Sequence, residues 1–283
     1  MTQMQGKTCM ITGASDGIGK ATAFALAQMG AEVIIVGRNP KKCDATVEHI
    51  KQQTGNTAVE TMLADFAELA QVRRLAQDFQ RKRSRLHVLV NNAGVLPLTR
   101  RVSRDGYEMA FAVNHLAHFL LTNLLLDTLL ASAPARIVNV SSRSHRRGPI
   151  DFDDLQSEKH FSVGSVYGKS KIANVLFTYE LARRLEDSSV TVNALHPGFV
   201  RTNMAADNGW FVRMMLPLIH IASLTPEEGA ATSIYLASSP EVEGVNGKYF
   251  AKCKPIRSSR DSYDRQAATR LWQESLKLTG LEA

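Results

Sequence analysis

Residues 8–37, TCMITGASDGIGKATAFALAQMGAEVIIVG, read as a buried strand, a glycine-rich turn, an amphipathic helix and a second buried strand. The first strand is predicted over 8–12. In the turn at 13–19, Gly13, Gly17 and Gly19 let the backbone bend tightly and approach an anion beside the positive end of the following helix. That helix is predicted over 18–29, with Ile18, Ala21, Ala25, Leu26 and Met29 on its apolar side and Gly30 as its stop. The run VIIV at 33–36 is apolar at successive positions instead of alternating. Such a strand is covered by helices on both faces of a parallel sheet.

The same alternation runs outward to the end of the chain. A helix over 40–53 and a strand over 58–63 complete a βαβαβ unit, and further strands are predicted over 86–91, 136–141, 190–195 and 247–251. Helices are predicted over 105–130, 166–185, 227–237 and 261–278. The fold class is therefore α/β: a Rossmann-type, doubly wound parallel sheet of about seven strands with helices on both faces. No linker, low-complexity tract or internal repeat interrupts the 283 residues, so 1–283 is read as one domain.

Composition narrows the partners. Lys and Arg number 34 against 27 Asp and Glu, a net charge of +7 that suits an anionic partner such as a phosphorylated cofactor, a membrane surface or nucleic acid. Basic residues cluster at 81–85, 100–104 and 143–147, but none of these runs alternates with aromatics as a nucleic-acid stacking surface does, and no nucleic acid is expected. Cys9, Cys43 and Cys253 are an odd count without a C-x-x-C spacing, which argues against a disulfide framework and a zinc site and fits reduced cytoplasmic thiols. His115 and His118 lie three apart with no Cys, Asp or Glu beside them to complete a metal-ligand set, so packing or surface roles are expected and no metal. The first residues show no signal-peptide pattern, and FLLTNLLL (119–126) and MMLPLIHIASL (214–224) fall short of the ~18 apolar residues of a spanning helix. A soluble, cytoplasmic protein is the expectation.

Tyr167 and Lys171 stand at i and i+4 of a predicted helix and so share one face. An ammonium beside a phenol favours the phenolate, lowering a pKa that is ordinarily near 10. With the spacing Gly13-x-x-x-Gly17-x-Gly19, this pair falls in order with Asp65, NNAG at 91–94, Asn114, Ser142 and PGFVRT at 197–202. In these motifs, which together cover nearly the whole chain, the sequence resembles the short-chain dehydrogenase/reductase family.

That resemblance implies a role for each residue. Tyr167 would give a proton to a carbonyl during reduction or take it from an alcohol during oxidation, and Lys171 would also hold the nicotinamide ribose. Ser142, which aligns better than the adjacent Ser141, would orient the substrate oxygen. Asn114, in AVNHLAHF, would anchor a water of the proton relay, or else serve as a hydrogen-bonding residue inside a helix. Cofactor contacts would come from Gly13, Ser15, Asp16, Gly17, Ile18 and Gly19, from Arg38 and Asn39, and from Asp65 and Phe66. Asn92, Ala93 and Gly94, then Tyr167 and Lys171, then Pro197, Gly198, Val200 and Thr202 complete the set. Asp65 also reads as a helix N-cap, a role compatible with a place at the cofactor crevice.

The turn after the second strand chooses between the two nicotinamide dinucleotides, because an acidic residue there accepts a free ribose hydroxyl whereas arginine favours a ribose phosphate. Gly37 stands where relatives that prefer NAD carry Asp, and Arg38 follows, with Lys41 and Lys42 nearby. NADP(H) is therefore favoured over NAD(H). Asp16 runs against this, standing where many NADP-preferring relatives have a basic or neutral residue.

Between Ser142 and Tyr167 lie residues 143–166, including RGPIDFDDLQSEKHFS (147–162). This insertion resembles the retinol dehydrogenase branch, which also holds WW-domain oxidoreductases and protochlorophyllide reductases; KSKIANVLFTYELARRL (169–185), VTVNALHPGFVRTNM (190–204) and NGKYFAKCKP (246–255) agree with it. With neither WW domain nor amino-terminal anchor in the sequence, a soluble relative is expected, as monomer or homodimer. Residues 203–224 fall where relatives fold a cover over the substrate, and WFVRMMLPLIHIASL (210–224) offers Phe211, Met214 and Leu218 to a lipophilic substrate. Ordinary core packing is an equal reading of this segment. A weak interfacial membrane contact through Trp210, Phe211 and Arg213 is a third. The function expected is an NADP(H)-dependent carbonyl reductase or alcohol dehydrogenase acting on a lipophilic, retinoid-like carbonyl or alcohol. A non-catalytic NADP(H)-binding sensor is the alternative, against which the retention of Ser142, Tyr167 and Lys171 together speaks.

Overall fold

The computed structural model describes residues 3–200 and 223–281. Eight strands form one sheet in the order β3-β2-β1-β4-β5-β6-β7-β8. They are β1 (Thr8–Thr12), β2 (Glu32–Gly37), β3 (Val59–Leu63), β4 (Val88–Asn91), β5 (Ala135–Val140), β6 (Val190–Leu195), β7 (Tyr249–Ala251) and β8 (Lys254–Ile256). All neighbours pair in parallel except β7 and β8, which run antiparallel across a tight turn whose Lys252 and Cys253 have φ of 49° and 58°. This short edge strand adds to the seven expected. The strand order reverses between β1 and β4, which opens a crevice at their carboxyl ends.

Successive residues of each central strand point to opposite faces and fill two cores. Cys9, Ile11, Val33, Ile35, Val88, Val90, Val138 and Val140 meet α1 (Gly17–Gln28), α2 (Pro40–Thr54) and the helix Pro226–Ser238 on one face. Met10, Ile34, Leu89, Ile137 and Val192 meet the opposite layer, which includes α3 (Leu69–Lys82), the helix Ala117–Leu124, the helix Val163–Arg184 and Trp272 of the terminal helix Arg265–Thr279. Each fully buried large side chain, such as Phe79 or Phe119, contributes about 1.5–3 kcal/mol. α3 has no counterpart in the predicted elements, although Leu69, Val72, Leu75, Ala76 and Phe79 are spaced as a helical apolar stripe. The buried side of α1 is Ile18, Thr22, Ala23, Leu26 and Ala27 in place of the predicted Ala21 and Ala25, because the Thr22 hydroxyl donates to the Ile18 carbonyl at 2.8 Å and so can face the core.

The predicted helix over 105–130 is divided. Met109–Phe111 leads into a π-helical turn at Ala112–Leu116, Ala117–Leu124 continues it, and a break at Leu125 precedes Leu126–Leu130. The terminal helix begins four residues later than predicted, after a 3-10 turn at Arg260–Tyr263. Among the described residues no helix is long and apolar enough to cross a membrane.

Candidate active site

A cleft of about 350 Å³ follows the carboxyl ends of β1 to β4. Its wall holds Gly13, Ser15, Asp16, Gly17 and Ile18, then Arg38, Asn39, Asp65 and Phe66, then Asn92, Ala93 and Gly94, so most of the residues named for the cofactor converge here. Gly13 has φ +64° and lies so close to the next loop that a Cβ on it would meet the Ala93 Cα at 2.8 Å. Gly19 does not line the cleft; a Cβ there would strike Asn92 Nδ2 and the Gly13 carbonyl, both at 2.5 Å, so it lets α1 pack against the NNAG segment. Asp16 caps α1 by accepting from Gly17 N at 2.8 Å, and Asn39 caps α2 by accepting from Lys42 N at 3.1 Å. These open turns, with the positive end of α1 among them, fit a pyrophosphate.

Other wall residues were not anticipated: Val36, Ala64, Ala67, Val95, Met109 and Val113. Nor was Thr12, which is fully buried and whose hydroxyl accepts from Asn92 N at 2.9 Å and Ala93 N at 3.0 Å, holding the NNAG backbone against β1. A threonine as last residue of the strand before the glycine turn was the available signal. Asp65 does not cap α3. Its carboxylate accepts from Ala67 N at 3.0 Å, while the first amide of the helix, Leu69 N, donates to Asp105 Oδ2 at 2.9 Å. Gly37 bears on cofactor choice: a Cβ there would lie 2.6 Å from Cys43 Sγ, so the sulfur of α2 fills the space an aspartate would need. Arg38 and Lys42 face the cleft beside it.

Beyond Val95 and Val113 the wall passes to a second group of residues. Asn114, fully buried in the π turn, accepts from Val95 N at 2.8 Å and donates to Val95 O at 3.1 Å and Ser170 Oγ at 3.0 Å. Both of its side-chain groups are thus held by the helix-interior and loop partners that the alternative reading requires, and its carbonyl accepts from His118 Nδ1 at 3.1 Å. His118 Nε2 lies 3.1 Å from the Thr12 hydroxyl, so this packed histidine joins the π turn to the NNAG support. His115 is buried as well, between Asn174 and Ser275. Among the described residues no group of three or more His, Cys, Asp and Glu side chains could hold a metal.

The helix Val163–Arg184 carries Tyr167 and Lys171 towards Ser142, which follows β5. Ser141 is committed elsewhere, its hydroxyl donating to the Lys171 carbonyl at 2.8 Å. Lys171 is 1% exposed; its Nζ donates to the Val140 carbonyl at 3.1 Å and lies 5.5 Å from the centre of the Tyr167 ring. Burial pushes the Lys171 ammonium down to about 8 and the Tyr167 phenol up to about 12, against a smaller opposing pull from the hydrogen bond to Ser142. The expected lowering of Tyr167 by Lys171 is therefore not what the chain's own groups produce. The ammonium addresses the ring face and a carbonyl.

After β6, Gly198 has φ +91° and its N–H donates to His196 Nδ1 at 3.2 Å, and Val200 bridges to Leu224. Pro197, Gly198 and Val200 stand at the carboxyl edge of the sheet and do not line the cleft. Thr202, Phe211, Met214 and Leu218, with most of the proposed cover, lie outside the described residues.

Residues 7–210 match the family model described as short chain dehydrogenase. Retinol dehydrogenase 14 of Homo sapiens is 45% identical over 98% of this chain and 88% of its own length. Polyprenol dehydrogenase of Homo sapiens is 43% identical over 97% of this chain and 86% of its own. Among solved structures, an uncharacterised protein of Mycobacterium paratuberculosis superposes with a TM-score of 0.80 at 34% identity, covering 98% of this chain and 94% of its own. A short chain dehydrogenase of Shigella flexneri complexed with NADP gives 0.71 at 26% identity, over 88% of this chain and 98% of its own.

Proposed function

The chain belongs to the short-chain dehydrogenase/reductase family, in its retinol dehydrogenase branch, and we propose that it is an NADP(H)-dependent reductase of lipophilic aldehydes and ketones, or dehydrogenase of the corresponding alcohols. The observation that carries this reading is the grouping of Tyr167 with Lys171, whose Nζ lies 5.5 Å from its ring centre, and with Ser142, its hydrogen-bond partner. When bound, the nicotinamide supplies or accepts the hydride. Gly13 to Ile18 and the NNAG segment would hold the pyrophosphate end, and Lys171, with donors to spare beyond Val140, the nicotinamide ribose. Ser142 would hold the substrate oxygen while the Tyr167 Oη proton moves to it in reduction. A phenol pushed up to about 12 stays protonated at neutral pH, the form that reduction needs. The three cysteines are free thiols, in keeping with a cytoplasmic setting.

NADP(H) is supported by Arg38 and Lys42 on the cleft wall and by Cys43 filling the space beside Gly37. Arg38→Ala is expected to weaken NADPH by about 10-fold or more, the worth of one charge-assisted contact of ~1.5–3 kcal/mol, and to leave NADH nearly unchanged. Fluorescence titration with both cofactors checks this. Equal losses for the two would remove Arg38 as the discriminator.

The lipophilic substrate is supported by the apolar run at 210–224 and by relatives named for retinol and polyprenol. Over a series of straight-chain aldehydes from butanal to dodecanal, each buried methylene contributes at most about 0.8 kcal/mol, so kcat/KM should rise up to roughly fourfold per carbon until the pocket is full. A flat series would leave the lipophilic assignment without support.

A further inference from the structure

Two side chains grip the Ser142 carbonyl, and the chemistry above uses neither. His145, fully buried, lies in the 3-10 turn Arg143–Arg146 that Ser142 caps. Its Nδ1 is 2.6 Å from the Ser142 carbonyl oxygen and 3.1 Å from Tyr249 Oη, and its Nε2 is 2.9 Å from Ser259 N. A backbone N–H only donates and a carbonyl only accepts, so the partners assign both ring nitrogens. Nε2 accepts from Ser259, and Nδ1 carries the proton and donates to Ser142. Tyr249 Oη donates to the same carbonyl at 3.3 Å, its ring centroid 4.7 Å from that of His145.

We propose that His145 is a positioning residue for Ser142: its Nδ1–H fixes the backbone from which the Ser142 hydroxyl meets the substrate oxygen, and its Nε2 ties that backbone to Ser259. This rests on the reading of Ser142 given above. The arrangement exists only with a neutral ring, because a proton on Nε2 would set one N–H against another at Ser259. Burial and the Arg146 charge hold the imidazole below its ordinary range, which keeps it neutral at pH 7. The groups packed around it are Arg146 on its own turn, Tyr249 on β7 and His196 after β6; His196 is itself pushed down to about 4 by burial and by Arg143, His145, Arg146 and Lys252. As pH falls through the lowered His145 pKa, the Ser259 tie breaks and Ser142 loses its support.

The test has two arms on the intact chain. In the first, nitrogen-15 spectra of histidine-labelled protein report the tautomer, the His145 signals being assigned by their loss in His145→Gln. A neutral ring protonated on Nδ1 is expected at pH 7. A ring protonated on Nε2, alone or with Nδ1, overturns the proposal whatever the substrate. In the second arm, reduction of decanal by NADPH is followed in the parent, Ser142→Ala, His145→Gln and His145→Asn. Glutamine offers Ser259 an acceptor but places no donor at Nδ1, so kcat should fall about 10-fold while NADPH Kd stays within about twofold. Asparagine keeps a donor beside Ser142 and should recover most of that loss. Parental kcat should decline as pH is lowered below the ordinary imidazole range, where Tyr167 stays protonated, and the asparagine variant should not share that decline. Parental kcat in His145→Gln beside a crippled Ser142→Ala overturns this inference and leaves the proposed function standing. Parental kcat in Ser142→Ala, or a parent that does not reduce decanal, overturns both.

Discussion

Tyr167→Phe is expected to lower kcat for aldehyde reduction by about 10²–10⁴-fold, the usual contribution of a positioned general acid, while NADPH Kd changes by less than about threefold. The phenyl ring keeps its place against Lys171, whose Nζ faces the ring 5.5 Å from its centre, so the cation contact and the helix Val163–Arg184 survive. What disappears is the hydroxyl, and with it the partner of Ser142 and the acid that this reading places beside the substrate oxygen. Stopped-flow turnover with an aldehyde that the parent reduces, beside a fluorescence titration with NADPH, checks the two halves. A variant that reduces the aldehyde at near-parental rate removes Tyr167 as the acid. A parent that binds NADPH yet turns over no aldehyde or alcohol favours the alternative of a non-catalytic sensor.

The fold was legible because the signals that set it are local and repeated. Apolar runs such as VIIV at 33–36 announce strands buried on two faces, and the glycines at 13, 17 and 19 mark where strand gives way to helix. α3 is not announced by its sequence although its stripe is regular, since charged residues on its other side, Arg73, Arg74, Arg81 and Lys82, dilute the apolar signal. The antiparallel β8 is three residues long with every residue exposed, and its turn puts two non-glycine residues at positive φ, which no turn preference announces. The π turn at Ala112–Leu116 shifts the phase of a helix without leaving a mark in hydrophobic spacing.

The site was legible as a list of residues and illegible as a network. Asn92 and Ala93 could be named from NNAG, but that their amides rest on Thr12 depends on β1 and β4 being neighbours, a pairing between residues about eighty positions apart. Likewise Tyr167 and Lys171 could be paired by spacing, yet spacing says nothing about burial. Burial is what raises the phenol and lowers the ammonium, and it depends on the elements packed around the helix.

Lys171→Met is expected to raise the thermal stability of the free chain while reducing turnover by about 100-fold or more, since the lost ammonium is the charge that would hold the nicotinamide ribose. The stability half follows from linkage. An unfolded lysine titrates near 10.5, whereas burial pushes the folded group down to about 8, so between these values the unfolded chain holds a proton that the folded chain has released. Stability therefore rises with pH across that window, and below about pH 8 the folded state carries the whole penalty of a buried charge, on the order of 3 kcal/mol. Methionine of similar length fills the space without the charge, and the Val140 carbonyl that loses the Nζ donor keeps Asn174 Nδ2 at 3.4 Å. At pH 7 the variant should melt higher than the parent by several degrees, roughly 5 °C. The gap should close as pH is raised from about 8 to above 10, where the parental lysine is neutral in both states. Melting curves at four or five pH values check this. A variant that melts lower at pH 7, or a gap independent of pH, would show that Lys171 is not held against its solvation, and that the site is not built at the expense of the fold.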